Sequence, residues 1–292
     1  MDCTISMAQI EPTLGDLATN LETHEEIVRR EAESGADIVL FPELSLTGYF
    51  LKDQVTDAGR TIDAPELEAL RKLSKNISIG VGFCEIGREG HYYNSYAFFE
   101  DEKLLHVHRK VHLVTYGMFE ESRDFAAGNE FRALESKHGR FGVLLCEDAW
   151  HAAAGYLYFL AGVDAMFIPS AGPGRGVNRE DDALETDEET GLASTRIWNT
   201  LTTSMALRFQ SYVLYVNRIG FEDGIMFGGG TRCMDPFGDE IDGIEGFHVG
   251  VMQTRLRSTA LRRARVVTPL RRGDKPHLVQ RELKRLAEEG LL

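Results

Sequence analysis

Two short runs constrain the fold more than anything else in the chain. Residues 37–41 (DIVLF) form an apolar strand closed by Pro42, and residues 142–146 (GVLLC) form another, followed at once by the polar, bulky EDAWH. Apolar runs this short without polar alternation read as strands covered on both faces. Strand-like and helix-like segments alternate around them. Residues 4–10 are β-rich, and residues 16–34 repeat Leu17, Leu21, Ile27 and Val28 at helical spacing, with Gly35 as a stop. Residues 64–76 predict a helix with Pro65 at a tolerated early position, and 77–84 (ISIGVGFC) a strand. Residues 93–99 and 103–108 alternate around the turn-like 100–102, the pattern of a hairpin. Further on, 152–162 and 197–210 read as helices, 164–169 and 211–217 as strands, and the stretch to about Met252 as strand and turn. With no Ser/Pro-rich linker and no internal repeat, residues 1–292 are expected to form one α/β domain of mixed sheets with helices outside.

Charge and cysteine usage narrow the function classes. A formal net charge of −14 opposes nucleic-acid binding, because an acidic surface repels the phosphate backbone. No stretch reaches the roughly 18–20 apolar residues of a membrane span, and the N-terminus lacks the basic and apolar regions of a signal peptide. Cys3, Cys84, Cys146 and Cys233 are scattered, as expected of reduced thiols in a cytoplasmic protein. The charge is uneven. Residues 180–189 (EDDALETDEE) lie in a long polar loop, 173–195, that is either a lid or disordered. From Arg255 to residue 292 the tail is basic, and solvated surface or docking on a second subunit both suit it.

Three polar residues stand where strand patterns run out: Glu43 after residues 37–41, Lys110 in HVHRKVHL, and Cys146 at the end of GVLLC. A nucleophile at the end of a buried strand, just before a helix, has its Cα fixed and its side chain turned to a crevice. The Glu147 N–H there is placed to bind a developing oxyanion. Nucleophile, carboxylate base and cation together meet the needs of a cysteine hydrolase that has no Cys–His pair. His106, His108 and His112 lie close in sequence, yet no neighbouring Cys or acidic residue completes a metal-ligand set. There is no G-x-S-x-G, and the glycine-rich 172–176 and 227–231 lack a P-loop ending and read as turns.

FPELSLTGY (41–49), RKVHL (109–113) and LLCEDAW (144–150), in that order, closely resemble the Glu, Lys and Cys signatures of the nitrilase, or carbon–nitrogen hydrolase, superfamily. YNS (93–95), FEESRDFAAG (119–128), NRIGFEDGIMFGGG (217–230) and DPFG (235–238) extend the resemblance over nearly the whole chain. It implies a four-layer α-β-β-α sandwich, a homodimer or higher homo-oligomer, and a tail (about 255–292) that contacts the neighbouring subunit. It also implies Cys146 as nucleophile, Glu43 as general base, Lys110 with the Glu147 N–H as oxyanion binder, and Glu121 as a second glutamate positioning lysine and substrate. Tyr116, Phe119, Glu147, Trp150 and Ser170 become the expected substrate contacts. The ammonium is expected to favour a Cys146 thiolate, and an apolar crevice to raise the Glu43 pKa. No metal or cofactor is implied.

CEDAW and FPELSLTGY look most like the glutaminase domain of glutamine-dependent NAD synthetase. No ATP-using synthetase domain accompanies them, and the family's serine in an S-x-S-P segment is replaced by Gly172, giving SAGP. A stand-alone amidase acting on a small-molecule amide is therefore expected, ahead of N-carbamoyl and then nitrile hydrolysis. A glutaminase subunit feeding ammonia to a separate synthetase, or an inactive binding protein on the same scaffold, are the other readings. The acidic loop suggests cationic substrates.

Overall fold

In the computed structural model, which describes residues 1–176, 192–244 and 246–292, the apolar runs become inner strands of two facing sheets. In chain order the strands are β1 (Asp2–Gln9), β2 (Ile38–Leu40), β3 (Ser78–Ile86), β4 (Tyr92–Glu100), β5 (Lys103–Arg109), β6 (Leu134–Ser136), β7 (Gly139–Val143), β8 (Ala165–Ser170), β9 (Tyr212–Asn217), β10 (Ile219–Glu222), β11 (Ile225–Gly228), β12 (Arg232–Met234), β13 (Glu240–Gly243) and β14 (Gly250–Arg257). The helices are α1 (Leu17–Glu33), α2 (Val55–Ala58), α3 (Pro65–Leu73), α4 (Glu121–Asp124), α5 (Ala152–Ala161), α6 (Ala193–Phe209), α7 (Ser258–Val267), α8 (Leu270–Gly273) and α9 (Pro276–Glu288). One sheet runs β14-β1-β2-β3-β4-β5, the other β13-β12-β9-β8-β7-β6, and β10 and β11 form a separate ribbon.

The layers follow from which faces are apolar. Ile5, Met7, Ile38, Leu40 and Phe98 of the first sheet pack against Phe141, Val143, Phe167, Leu214 and Val216 of the second. All are fully buried, and each such side chain contributes about 1.5–3 kcal/mol relative to exposure. Behind the first sheet, Ile27 and Val28 of α1 cover Val39, Phe41 and Ile79, while Leu67 and Leu70 of α3 cover Val81 and Phe83. Behind the second, Ala154, Tyr158 and Phe159 of α5 and Met205, Ala206 and Phe209 of α6 cover Met166, Ile168 and Val213. The result is the four-layer α-β-β-α sandwich.

Local chemistry sets the element ends. Asp16 caps α1, Oδ1 accepting from Thr19 N at 3.1 Å and Oδ2 from the Thr19 hydroxyl at 2.8 Å. The helix is then tied to the turn that carries Glu43. Asn20 Nδ2 donates to Leu46 O at 3.0 Å, and His24 Nε2 lies 2.9 Å from the Ser45 hydroxyl.

Two element boundaries need correction here. The basic stretch from Arg255 begins inside a strand. Gly250–Arg257 is strand β14, antiparallel to β1 with Ile5 opposite Thr254 and Met7 opposite Met252. Its basic residues Arg255 and Arg257 alternate with buried Thr254 and Leu256, so they mark the outer face of an inner-sheet strand. Helix α7 then buries Leu261 and Ala264 on the same chain, and Arg265 reaches Asp164 Oδ1 at 3.3 Å. No described residue after Ala264 is buried. The second correction is that the strand before the cysteine ends at Val143, so Cys146 opens a 3-10 turn (Cys146–Trp150) instead of closing a strand. The acidic residues 180–189 lie outside the described residues. Among the described residues, no helix is long and apolar enough to cross a membrane.

Candidate active site

Strand direction brings the expected residues together. β1, β2 and β3 are mutually parallel, and β5 runs the same way because β4 is antiparallel to both its neighbours. In the other sheet β7, β8 and β9 are parallel. Glu43 follows the end of β2, Lys110 the end of β5, Cys146 the end of β7, and Ala171 the end of β8. Carboxyl ends of parallel strands are where α/β layers leave a crevice. The turn at Glu43 presses onto β3 so closely that a Cβ at Gly82 would lie 2.5 Å from Pro42 O and 2.4 Å from Leu44 N. Only glycine fits there.

Lys110 is buried between two carboxylates. Its Nζ donates to Glu43 Oε1 and to Glu121 Oε1, each at 2.7 Å. Glu43 Oε1 also accepts from Asn94 Nδ2 at 2.8 Å, and Oε2 from the Ala171 N–H at 2.7 Å. Glu121 is fixed by the Tyr49 hydroxyl at 2.6 Å and the Val114 N–H at 2.9 Å. Burial raises the Glu43 pKa above its ordinary 4.5, only partly opposed by the Lys110 ammonium and reinforced by Glu121. For Lys110 burial acts downward, but Glu121 and Glu43 outweigh it and hold the ammonium charged well above its ordinary 10.5.

Cys146 sits at φ 45°, in the left-handed region that a residue with a Cβ enters only when its surroundings hold it there. Burial raises its thiol pKa well above 9.0, the Glu43 carboxylate raises it further, and Lys110 and the Ala171 N–H offset this in part. The Lys110 ammonium favours the thiolate as expected, and burial and the Glu43 carboxylate act against it. The Ala171 N–H that donates to Glu43 also acts to lower the thiol pKa, which links base and nucleophile electrostatically.

Cys146 opens on a cavity of about 290 Å³ whose wall includes Tyr116, Phe119, Glu147 and Trp150, four of the five expected substrate contacts. Ser170 is not on that wall. It is fully buried at the end of β8, and its hydroxyl turns back to Ile168 O at 3.3 Å. The Glu147 N–H donates to no described group.

Sequence reasoning left Tyr49, Asn94 and Ala171 unassigned, and it missed the partner of two of the histidines. Among the described residues no group of His, Cys, Asp and Glu side chains could hold a metal ion, but His108 and His112 share a carboxylate that comes from the cysteine turn. Asp148 is fully buried and accepts from His108 Nε2 at 2.9 Å, His112 Nδ1 at 3.0 Å, and the N–H groups of Val111, His112 and Leu145 at 3.1, 2.9 and 3.2 Å. It ties the segment after Lys110 to the turn that presents Cys146. Burial alone would raise its pKa, but the hydrogen bonds from His108 and His112 prevail and hold it well below 3.8.

Asp148→Asn is expected to cost about 3 kcal/mol of stability near neutral pH. A folded-state pKa below the unfolded value, about 3.9, means the carboxylate stabilises fully above that value and ceases to as pH falls toward the folded pKa. Denaturant unfolding from pH 7 downward should show a constant gap between wild type and variant to about pH 4, closing below it. A gap that widened in acid would refute this role.

The fold is shared with known proteins. The carbon-nitrogen hydrolase family profile matches residues 4–265. The glutamine-dependent NAD(+) synthetase of Thermotoga maritima is 28% identical over 274 residues, covering 92% of this chain and 44% of that protein. The N-carbamoylputrescine amidase of Solanum tuberosum is 30% identical over 178 residues, 58% of each. A carbon-nitrogen hydrolase from Helicobacter pylori G27 has the same fold, with a TM-score of 0.84 at 21% identity over 98% of this chain and 99% of that one. The chain spans less than half the length of the synthetases it matches.

Proposed function

The chain belongs to the carbon–nitrogen hydrolase family, and on that premise we propose that it hydrolyses a small-molecule amide through a thioester on Cys146. One observation carries the reading: a partly exposed cysteine at φ 45°, on the wall of a cavity, next to a buried lysine clasped by two carboxylates. In the first half-reaction Glu43 takes the thiol proton as sulfur attacks the amide carbon. The Lys110 ammonium and the free Glu147 N–H receive the negative charge on oxygen. The C–N bond then breaks, the proton passes from Glu43 to the departing amine or ammonia, and a thioester remains. In the second half, Glu43 takes a proton from water as it attacks the thioester, and sulfur leaves with that proton restored. Glu121 touches Lys110 and acts by holding the ammonium in place.

Ammonia release from a panel of amides, N-carbamoyl compounds and nitriles tests the substrate class. Amides are expected to turn over fastest and nitriles slowest, and turnover of nitriles alone would overturn the assignment. The synthetase relatives favour a second reading, an ammonia-supplying glutaminase subunit. Glutamine hydrolysis that depends on a co-purifying second chain would select it.

A further inference from the structure

The second carboxylate of the site is held from outside it. Glu121 touches Lys110, and the same Oε1 accepts from the Tyr49 hydroxyl at 2.6 Å. Tyr49 follows a turn that glycine alone can make. Gly48 has φ 80°, and a Cβ there would lie 2.7 Å from Leu14 Cα and 3.2 Å from Glu222 Oε1. The ribbon β10–β11 fixes this turn. Glu222, at the end of β10, accepts through Oε2 from the N–H groups of Tyr49 and Phe50 at 2.9 and 3.0 Å. Its Oε1 accepts from Arg218 Nη1.

Arg218 supports Tyr49 by a second route. Its Nη2 donates to Pro12 O at 3.1 Å, and its guanidinium carbon stands 4.2 Å from the centroid of the Phe227 ring on β11. That ring lies edge-on to Tyr49, with centroids 5.9 Å apart at 66°. One arginine therefore reaches the tyrosine backbone through Glu222 and its ring through Phe227. Arg218 and Glu222 are both buried. Taking such a pair out of water costs about what its attraction returns, so its presence says little about stability. What this pair does is place two consecutive N–H groups. Lys52 and Asp223 join the same two segments, but at the surface, where an ion pair holds little.

We propose that Glu222 is a positioning residue for the reaction: by fixing the backbone of Tyr49 it sets the hydroxyl that holds Glu121 against the Lys110 ammonium. This rests on the amidase reading above and adds to it a support that is not itself on the cavity wall. The chain of contacts runs from Arg218 to Glu222, to the Tyr49 N–H, and through the Tyr49 hydroxyl to Glu121 and Lys110. Its length does not weaken it, because a shift of about 1 Å in a reacting group can cost on the order of a hundredfold in rate.

The test measures kcat and KM on the fastest amide for wild type, Tyr49→Phe, Glu222→Gln and the double variant. Tyr49→Phe removes only the hydroxyl and should lower kcat roughly tenfold or more, with KM changed by less than about threefold. Glu222→Gln should lower kcat by a similar factor, since one amide oxygen cannot serve both Arg218 and the two N–H groups. Because both substitutions act through one hydrogen bond, the double variant should be within about twofold of Tyr49→Phe. Losses that multiply, as a general loosening of the fold would give, would overturn this inference, as would an unchanged kcat in folded Glu222→Gln. If Glu222→Gln does not fold, Glu222→Asp takes its place, keeping a charge for Arg218 while shortening the reach to Tyr49. Iodoacetamide labelling of Cys146 needs no turnover, and Cys3, Cys84 and Cys233 are fully buried. An ammonium out of place favours the thiolate less, so labelling should slow several-fold in either single variant and no further in the double. If wild type turns over no amide, the amidase reading falls, and the labelling still decides: equal rates in wild type, Tyr49→Phe and Glu222→Gln would refute the positioning role.

Discussion

Lys110→Met is expected to lower kcat/KM by about a thousandfold and to cost about 3–5 kcal/mol of stability. The first figure follows from removing a preorganised oxyanion donor. The second follows from stranding the two carboxylates that now share one ammonium, Glu43 and Glu121, each 2.7 Å from Nζ in a fully buried site. Acid should shrink the stability deficit, because proton uptake by one carboxylate substitutes for the lost positive charge. Urea unfolding of wild type and variant at pH 7 and pH 5 measures this. A deficit independent of pH would mean that the lysine contributes packing and little else.

Glu43→Gln should lower kcat by about 10²–10⁴, the usual worth of a positioned general base, with a smaller loss of stability than Lys110→Met. Lys110 retains Glu121, and the amide oxygen can still accept one of the hydrogen bonds that Asn94, Lys110 and Ala171 give to Glu43. The wild-type pH profile of kcat/KM should show an acid limb above 4.5, since burial and Glu121 raise the Glu43 pKa and the base must be ionised to take the thiol proton. The variant should lose that limb. An unchanged acid limb in Glu43→Gln would assign proton removal to another group.

The layered α/β fold was legible because its inner strands are apolar on both faces and its outer helices carry apolar residues at helical spacing. Residues 37–41 and 16–34 illustrate the two patterns. Strand β14 has an equally plain alternation, Met252, Thr254 and Leu256 inside with Gln253, Arg255 and Arg257 outside. Its first residues fall within the stretch read as strand and turn to about Met252, and its basic outer face put Arg255 and Arg257 with the tail. Glu43, Lys110 and Cys146 could be read from the sequence because each ends a recognisable strand pattern within a specific motif.

The rest of the site depends on contacts that no local period encodes. The Ala171 amide meets Glu43 across 128 residues, and the Tyr49 hydroxyl meets Glu121 across 72. Asp148 stood inside the quoted CEDAW motif, yet its partners His108 and His112 lie 40 and 36 residues upstream. The charge balance around Cys146 lay out of reach for a related reason. From sequence Lys110 is a free positive charge, whereas in the fold two carboxylates already claim it.

Ammonia release by Cys146→Ala, measured beside wild type on the amide that wild type turns over fastest, tests the central claim most directly. Substitution at φ 45° exchanges one Cβ-bearing residue for another, so the backbone strain at this position is not altered. The account predicts release indistinguishable from the buffer rate, in a variant that unfolds with wild-type cooperativity. Turnover that survives in folded Cys146→Ala would contradict it, and a nucleophile other than this thiol would have to be found.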